Sequence, residues 1–165
     1  MTEHNERPFL FLDVDGTVIP FGRQNGNRSA ATTTESYLTG INSELGERLA
    51  ELPCELAWAT TWENEANTEL APRLGLPSLP VVHWPEPTPD EELEDQWFNL
   101  HWKTRTLVAR ANGRPFVWFD DEITSADADW VAAHHHGRAL LHRVDASKGI
   151  TYRDLESLDA WLRWA

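Results

Sequence analysis

Cysteine and long apolar runs are both scarce in this chain of 165 residues. The single cysteine, Cys54, excludes an internal disulfide and any zinc site built from several cysteines. The longest apolar runs are only four or five residues, far shorter than a membrane-spanning helix requires. The segment from Met1 to Pro8 is polar and charged and contains no secretory signal, so we expect a cytoplasmic protein.

Basic residues are also few, because 14 lysines and arginines stand against 27 acidic residues, for a formal net charge of −13. Binding to a nucleic-acid backbone or an anionic membrane needs an excess of positive charge. The charge balance therefore argues against both as partners. Hydrophobic residues make up 41% of the chain and charged residues 25%, which is typical of a folded protein. The length suits one domain over residues 1–165.

Short apolar runs without polar alternation recur along the chain, and each is followed by a polar stretch. Such runs are typical of strands that are buried on both faces of a parallel sheet. They predict five strands, at Phe9–Leu12, Leu56–Ala59, Leu79–Val82, Phe116–Phe119 and Ala139–Leu141.

Helical spacing of leucines and alanines separates these runs. Four helices are predicted, at Ile41–Leu52, Ala66–Leu74, Lys103–Ala111 and from Thr151 onward. Asn42 or Ser43 would cap the first helix, and Gly75 would stop the second, with a kink or an early end at Pro72. Thr151 and Asp154 resemble a capping box at the start of the fourth. Strands that alternate with helices predict a doubly wound α/β fold. Ligands of such folds bind beyond the carboxyl ends of the strands.

Two segments show neither the apolar runs of strands nor the apolar spacing of helices. Residues 18–40 are rich in Gly, Asn, Ser and Thr, and they are predicted to form a flap or loop. Residues 84–95 contain three prolines and six acids, and they are predicted to form an exposed, acidic connection.

Acidic residues follow two of the predicted strands. Asp13-Val14-Asp15-Gly16-Thr17 comes directly after the first run, and Asp120-Asp121 ends the fourth. Carboxylates that lie close together repel each other, so they need a cation or a shared proton. A hard, oxygen-seeking ion such as Mg²⁺ suits this donor set, and the two segments together predict a divalent metal site.

Two further signals lie near the same edge of the predicted sheet. Thr60 and Thr61 end the second run, where their hydroxyl groups would face the crevice. Lys103, one of only two lysines, begins the helix before the fourth run.

Together these segments resemble the haloacid dehalogenase-like (HAD) superfamily of phosphohydrolases. The resemblance rests on Asp-x-Asp-Gly-Thr at residues 13–17, a threonine at Thr60, a lysine at Lys103 and paired acids at Asp120 and Asp121. The four motifs occur in the order typical of the family, and the resemblance spans residues 8–164. It implies a Rossmann-like, three-layer α/β/α fold around a mostly parallel sheet of five strands.

The resemblance also implies a role for each motif residue. Asp13 would attack the phosphoryl group and form an aspartyl-phosphate, while Asp15 would act as general acid and then general base. Mg²⁺ would be held by Asp13, the main-chain carbonyl of Asp15, Asp120 and, directly or through water, Asp121. The phosphoryl oxygens would be bound by Gly16, Thr17, Lys103 and either Thr60 or Thr61.

Too few residues lie between the motifs for a separate cap domain, so the resemblance implies a capless enzyme with an open site. A small phosphorylated substrate is the first expectation, and a nucleic-acid end or a protein is the alternative. A homodimer could supply a lid. Trp62, Trp84, Trp102 and Arg23 are predicted to line the substrate cleft. The alternative to an enzyme is a HAD-fold protein without catalytic activity. Such a protein would bind a phosphorylated ligand or a partner protein.

Overall fold

The computed structural model describes residues 7–21 and 41–163, and the statements about structure that follow concern this part of the chain. Its centre is a sheet of four parallel strands in the order β2-β1-β3-β4. The strands are β1 (Phe9–Leu12), β2 (Glu55–Trp58), β3 (Phe116–Asp120) and β4 (Ala139–Arg143). Every residue of β1 and β3 is buried, which confirms that these two apolar runs are strands covered on both faces, whereas β4 is only partly buried.

The prediction of five strands is wrong at the run Leu79–Val82. Here only Val81 pairs with the sheet, through a single bridge to Trp58. The Trp58 amide donates to the carbonyl of Pro80 at 2.9 Å, and the Val82 amide donates back to Trp58 at 2.9 Å. Pro80 has no amide hydrogen to extend the ladder, so the pairing stops after one residue.

Helices cover the sheet on both faces. They are α1 (Ser43–Glu51), a π-helical turn (Ala66–Leu70) that runs into α2 (Ala71–Leu74), α3 (Pro89–Phe98), α4 (Thr104–Ala111), α5 (Ser125–His134) and α6 (Tyr152–Arg163). All four predicted helices are present. Asn42 caps α1, and Gly75 ends α2 in the left-handed conformation. Pro72 lies in the first turn of α2, where a missing amide hydrogen does no harm.

The acidic segment 84–95 is only partly the irregular connection that we predicted, because α3 begins at Pro89. Thr88 and Glu91 form a capping box, with Thr88 Oγ1 accepting from the Glu91 amide at 3.2 Å. Proline in the first turn and three acids near the helix N-terminus both favour this helix. None of its residues is buried, which is why hydrophobic periodicity did not reveal it.

Alternate side chains of the strands point to opposite faces and build two apolar layers. Leu10 and Leu12 of β1 pack with Leu49 of α1 and Leu158 of α6. Phe9 and Phe11 belong to the other layer, together with Leu107 of α4 and Trp130 of α5. Apolar burial on both faces confirms the three-layer α/β/α architecture.

No separate cap domain occurs within residues 7–21 and 41–163, because the segment between β2 and α4 holds only the π-helical turn, α2 and α3, which are all short. None of the helices described is long and apolar enough to cross a membrane. Most of the predicted flap, residues 22–40, lies outside the described residues, and Arg23 lies there with it.

Candidate active site

The carboxyl ends of the two central strands bring the first and fourth motifs together. Leu12 pairs with Phe119, so Asp13 follows β1 beside Asp120, the last residue of β3. The Asp13 amide donates to the carbonyl of Phe119 at 3.1 Å. The side chains of Asp13 and Asp120 are both buried, with 6% and 1% of each residue exposed.

Lys103 joins these two carboxylates from the N-cap position of α4. Its Nζ donates to Asp13 Oδ1 and to Asp120 Oδ2, both at 2.8 Å. Burial by itself would lower the pKa of Lys103, but the two carboxylates outweigh it and raise the pKa above its ordinary value. Lys103 is therefore a buried cation that is fixed between two acids.

Asp121 completes a cluster of three carboxylates in which one oxygen from each lies within 4.8 Å of the others. Burial, followed by the charge of Asp120, raises the pKa of Asp13 to about 6. The same causes, with the charge of Asp13 added, raise the pKa of Asp121 to about 7. One ammonium group does not balance three carboxylates, so the cluster fits a hard divalent cation bound by oxygen ligands.

The loop after Asp13 turns at Gly16 and packs closely against the cluster. Gly16 has φ +75°, and a Cβ at this position would lie 2.6 Å from Asp121 Oδ2, so only glycine fits. Thr17 is fully buried, and its Oγ1 donates to Asp13 Oδ2 at 3.3 Å. The amides of Gly16 and Thr17 donate to the carbonyls of Ile19 and Val14 within the loop, so their contact with a phosphoryl group stays a prediction.

Asp15 is held by an interaction that spans 47 residues of sequence. The indole nitrogen of Trp62 donates to both carboxylate oxygens of Asp15, at 3.3 and 3.2 Å. The Trp62 amide in turn donates to Thr60 Oγ1 at 3.2 Å, so one residue connects the first and second motifs. Trp62 was predicted to line the substrate cleft, and here its indole orients the predicted general acid.

Thr60 and Thr61 differ in their surroundings. Thr60 is fully buried, its carbonyl accepts from the indole of Trp84 at 3.0 Å, and its hydroxyl oxygen accepts from Trp62. Thr61 is exposed. The network therefore places Thr60 next to the first motif and favours it over Thr61 for the second.

Residues 9–155 match the family model for the HAD domain in Swiss Army Knife RNA repair proteins. The chain belongs to this HAD family. The match covers all four motif positions and nearly all of the described fold. No curated protein and no solved structure gives a match.

Two residues that the sequence did not single out hold Lys103 of this HAD domain in place. His101 Nδ1 accepts from the Lys103 amide at 3.2 Å, and His101 Nε2 lies 3.1 Å from Glu122 Oε2. The accepting Nδ1 assigns the ring hydrogen to Nε2, which then donates to Glu122. The Glu122 amide donates to Asp120 Oδ1 at 3.0 Å, so these contacts connect the third and fourth motifs.

Asp127 supports the same segment from α5 and is fully buried. Its Oδ1 accepts from the His101 amide and from Thr104 Oγ1, both at 2.8 Å. Its Oδ2 accepts from the amide and the hydroxyl of Thr124, the N-cap of α5. The pattern Thr124-x-x-Asp127 is a capping-box signature and could have revealed both the helix and this residue.

His134 and His135 contact aromatic rings, and Arg143 contacts the carboxylate cluster. His134 ends α5 and stacks on Trp130, with ring centroids 4.0 Å apart, and His135 is buried beside Phe116. Arg143 lies at the rim of the carboxylate cluster, where its Nε donates to the carbonyl of Asp121 at 3.2 Å.

Proposed function

We propose that this HAD domain is a Mg²⁺-dependent phosphohydrolase that cleaves phosphomonoesters through an aspartyl-phosphate at Asp13. The observation that carries the proposal is the buried Asp13–Lys103–Asp120 bridge beside Asp121. A lysine that contacts both the nucleophile and a metal ligand is what a phosphoryl-transfer site needs to balance charge. Family membership supports the same chemistry.

In the first step a carboxylate oxygen of Asp13 bonds to phosphorus, and the bond from phosphorus to the leaving oxygen breaks. Lys103 and Thr17 orient that carboxylate through the hydrogen bonds already described. Asp15, held by Trp62, transfers a proton to the leaving oxygen. Asp15 is then ionised and ready for the second step.

In the second step water attacks phosphorus and gives a proton to Asp15, and the bond between phosphorus and Asp13 breaks. The products are inorganic phosphate and the regenerated Asp13 carboxylate. Asp13, Asp120, Asp121 and the carbonyl of Asp15 would hold Mg²⁺. When bound, the ion supplies positive charge that balances the carboxylates and the phosphoryl oxygens.

The substrate is proposed to be a small phosphomonoester, with a phosphate at an RNA end as the second candidate. The charge of −13 favours the first, because a polyanion meets more repulsion than a single phosphate does. The family description, which names RNA repair proteins, favours the second.

The experiment is a phosphate-release screen with sugar phosphates, nucleoside monophosphates and end-phosphorylated RNA, with Mg²⁺ and after chelation. Asp13→Asn tests the nucleophile, and Glu92→Gln on α3 is the matched control for the loss of one acidic charge. We expect Mg²⁺-dependent release that Asp13→Asn lowers by at least about a thousandfold and Glu92→Gln leaves unchanged. Absence of release from every substrate would favour the alternative of a binding protein without catalysis.

A further inference from the structure

Two tryptophans at the edge of the site form what we call the Trp84–Trp102 pair. Their rings meet edge to face, with centroids 4.9 Å apart and planes at 76°. Trp102 is 48% exposed, whereas Trp58 and Trp118 inside the sheet are fully buried. About half of Trp102 is therefore open to solvent where a packing residue would be covered.

Both members of the pair are anchored to catalytic segments. The indole of Trp84 donates to the carbonyl of Thr60 at 3.0 Å, and Trp102 directly precedes Lys103 in the chain. Lys103 Nζ lies 5.4 Å from the centroid of the Trp102 ring and 2.8 Å from Asp13 Oδ1. The nucleophile and the exposed ring therefore have the same lysine as a neighbour.

The orientation of Trp102 is fixed before any ligand binds. The His101 ring stacks on it, with centroids 5.5 Å apart and planes at 30°, and His101 is itself held by Glu122 and by the Lys103 amide. A rigid aromatic face loses little conformational freedom when a flat ligand covers it.

We propose that the Trp84–Trp102 pair binds the nucleobase of the substrate whose phosphate reacts at Asp13. This inference rests on the proposed phosphohydrolase function and specifies its substrate class. Stacking on tryptophan needs no positive charge, so it gives an acidic protein a way to hold a nucleotide. A free nucleoside monophosphate and a phosphorylated RNA end both offer a base next to the phosphate.

The test compares kcat/KM for a nucleoside monophosphate, for an end-phosphorylated RNA oligonucleotide and for ribose 5-phosphate, which has no base. The ratio of a base-bearing substrate to ribose 5-phosphate measures base selectivity. We expect Trp102→Leu to lower this ratio about tenfold to a hundredfold, mainly through KM, and Trp102→Phe to recover most of it. The base-bearing substrate with the higher kcat/KM identifies the physiological source of the base.

Trp161→Leu is the matched control, because Trp161 contacts Arg138, which lies just before the amino end of β4, at the opposite edge of the sheet. We expect the ratio for this variant to equal that of the wild type. An unchanged ratio in Trp102→Leu, or an equal fall in Trp161→Leu, would overturn the inference.

Calorimetric binding of a nucleoside monophosphate separates this inference from the proposed function. If no substrate is hydrolysed, the function fails while binding still tests the pair. Binding that Trp102→Leu weakens at least tenfold and Trp102→Phe restores would support the inference. Absence of binding by the wild-type protein would contradict it. Because stacking carries the affinity, we expect the dissociation constant of the mononucleotide to change little with salt.

Discussion

The molecule contains two acidic regions whose residues are alike and whose surroundings are opposite. Asp13, Asp120 and Asp121 meet at the ends of two buried strands, where the pKa of Asp13 and that of Asp121 are raised. The acids of α3 lie on a helix without a buried residue. There, hydrogen bonds from Thr88 lower the pKa of Glu91, and Arg105 lies 2.8 Å from Asp95 and 3.3 Å from Glu94.

The comparison shows that the surroundings of an acid, and not its charge alone, decide how that charge is balanced. Water and a partly exposed arginine balance the charges of α3, and such pairs contribute little to stability. In the cluster, Asp13 and Asp120 are buried and Asp121 is half-buried. Among the described residues, Lys103 is the ammonium group that contacts them, so three carboxylates face one ammonium group, a balance that suits a divalent cation. Much of the net charge is therefore a solvated surface, and only a small part belongs to the site.

The largest expected effect comes from removing the cation of each region in turn. Lys103→Met leaves Asp13 and Asp120 buried without their ammonium partner, and we expect it to lower the free energy of unfolding by about 3 kcal/mol without metal. Arg105→Met, the matched control, should lower it by less than about 1 kcal/mol. Urea titrations at neutral pH measure both, and equal losses would contradict the comparison.

Two quantities should depend on pH: the stability of the metal-free protein and the stabilisation that metal binding adds. The pKa values of about 6 for Asp13 and about 7 for Asp121 lie above the ordinary 3.8, so the folded state binds protons more tightly than the unfolded state does. Their contribution to stability is present at low pH and is lost as pH rises through 6 and 7.

Mg²⁺ needs the ionised carboxylates, so its stabilising effect should follow the opposite course. We expect the rise in Tm caused by saturating Mg²⁺ to be large at about pH 8 and small at about pH 5. Differential scanning fluorimetry measures it, with Asp121→Asn as the variant that should reduce the rise. A rise in Tm of the same size at both pH values would contradict the prediction that Mg²⁺ binding depends on ionisation of Asp13 and Asp121.

Asp127 is a third kind of acid, because it is buried like Asp13 and Asp120 and yet accepts four hydrogen bonds. Asp127→Asn replaces an accepting oxygen by a donor, and we expect it to lower the free energy of unfolding by about 1–3 kcal/mol. We also expect a lower kcat, because His101 and Thr104 flank Lys103. Asp129 is an exposed neighbour on α5, and Asp129→Asn should change neither the free energy of unfolding nor kcat. If Asp129→Asn lowered both as much as Asp127→Asn does, a specific role for Asp127 would be excluded.

The smallest effect is expected at α3 itself. Thr88→Ala removes the capping box and should destabilise this helix by about 1 kcal/mol, without a change in phosphate release. Hydrogen exchange should show faster exchange of the α3 amides alone. Faster exchange in β1 or β3 would mean that α3 stabilises the core, and this would contradict the view that α3 is a solvated surface helix.

The sequence alone was sufficient to predict the sheet and the approach of the motifs. Apolar runs located four strands, and the parallel order then brings Asp13 and Asp120 to one edge. The same criterion overestimated Leu79–Val82, because it ignored the missing amide of Pro80. It also missed α3 and α5, whose capping boxes were better signals than their apolar residues.

The contacts that orient the site could not be predicted in this way. Trp62 reaches Asp15 across 47 residues, and Asp127 reaches the His101 amide across 26. Such pairs depend on how the loops pack at the end of the sheet, and no local pattern encodes that packing. The sequence predicts the same role for Trp62 and Trp102, which is to line the substrate cleft. In the structure the indole of Trp62 donates to Asp15, whereas Trp102 is about half exposed.

In the proposed mechanism, Asp13 of the buried cluster becomes phosphorylated during turnover. Borohydride reduces an aspartyl-phosphate to homoserine, and mass spectrometry of the peptide around residue 13 detects the change. We predict reduction at Asp13 when substrate and Mg²⁺ are both present, and none after chelation or in Asp13→Asn. Turnover by Asp13→Asn at the wild-type rate, with no modification at residue 13 of the wild-type protein, would contradict the account.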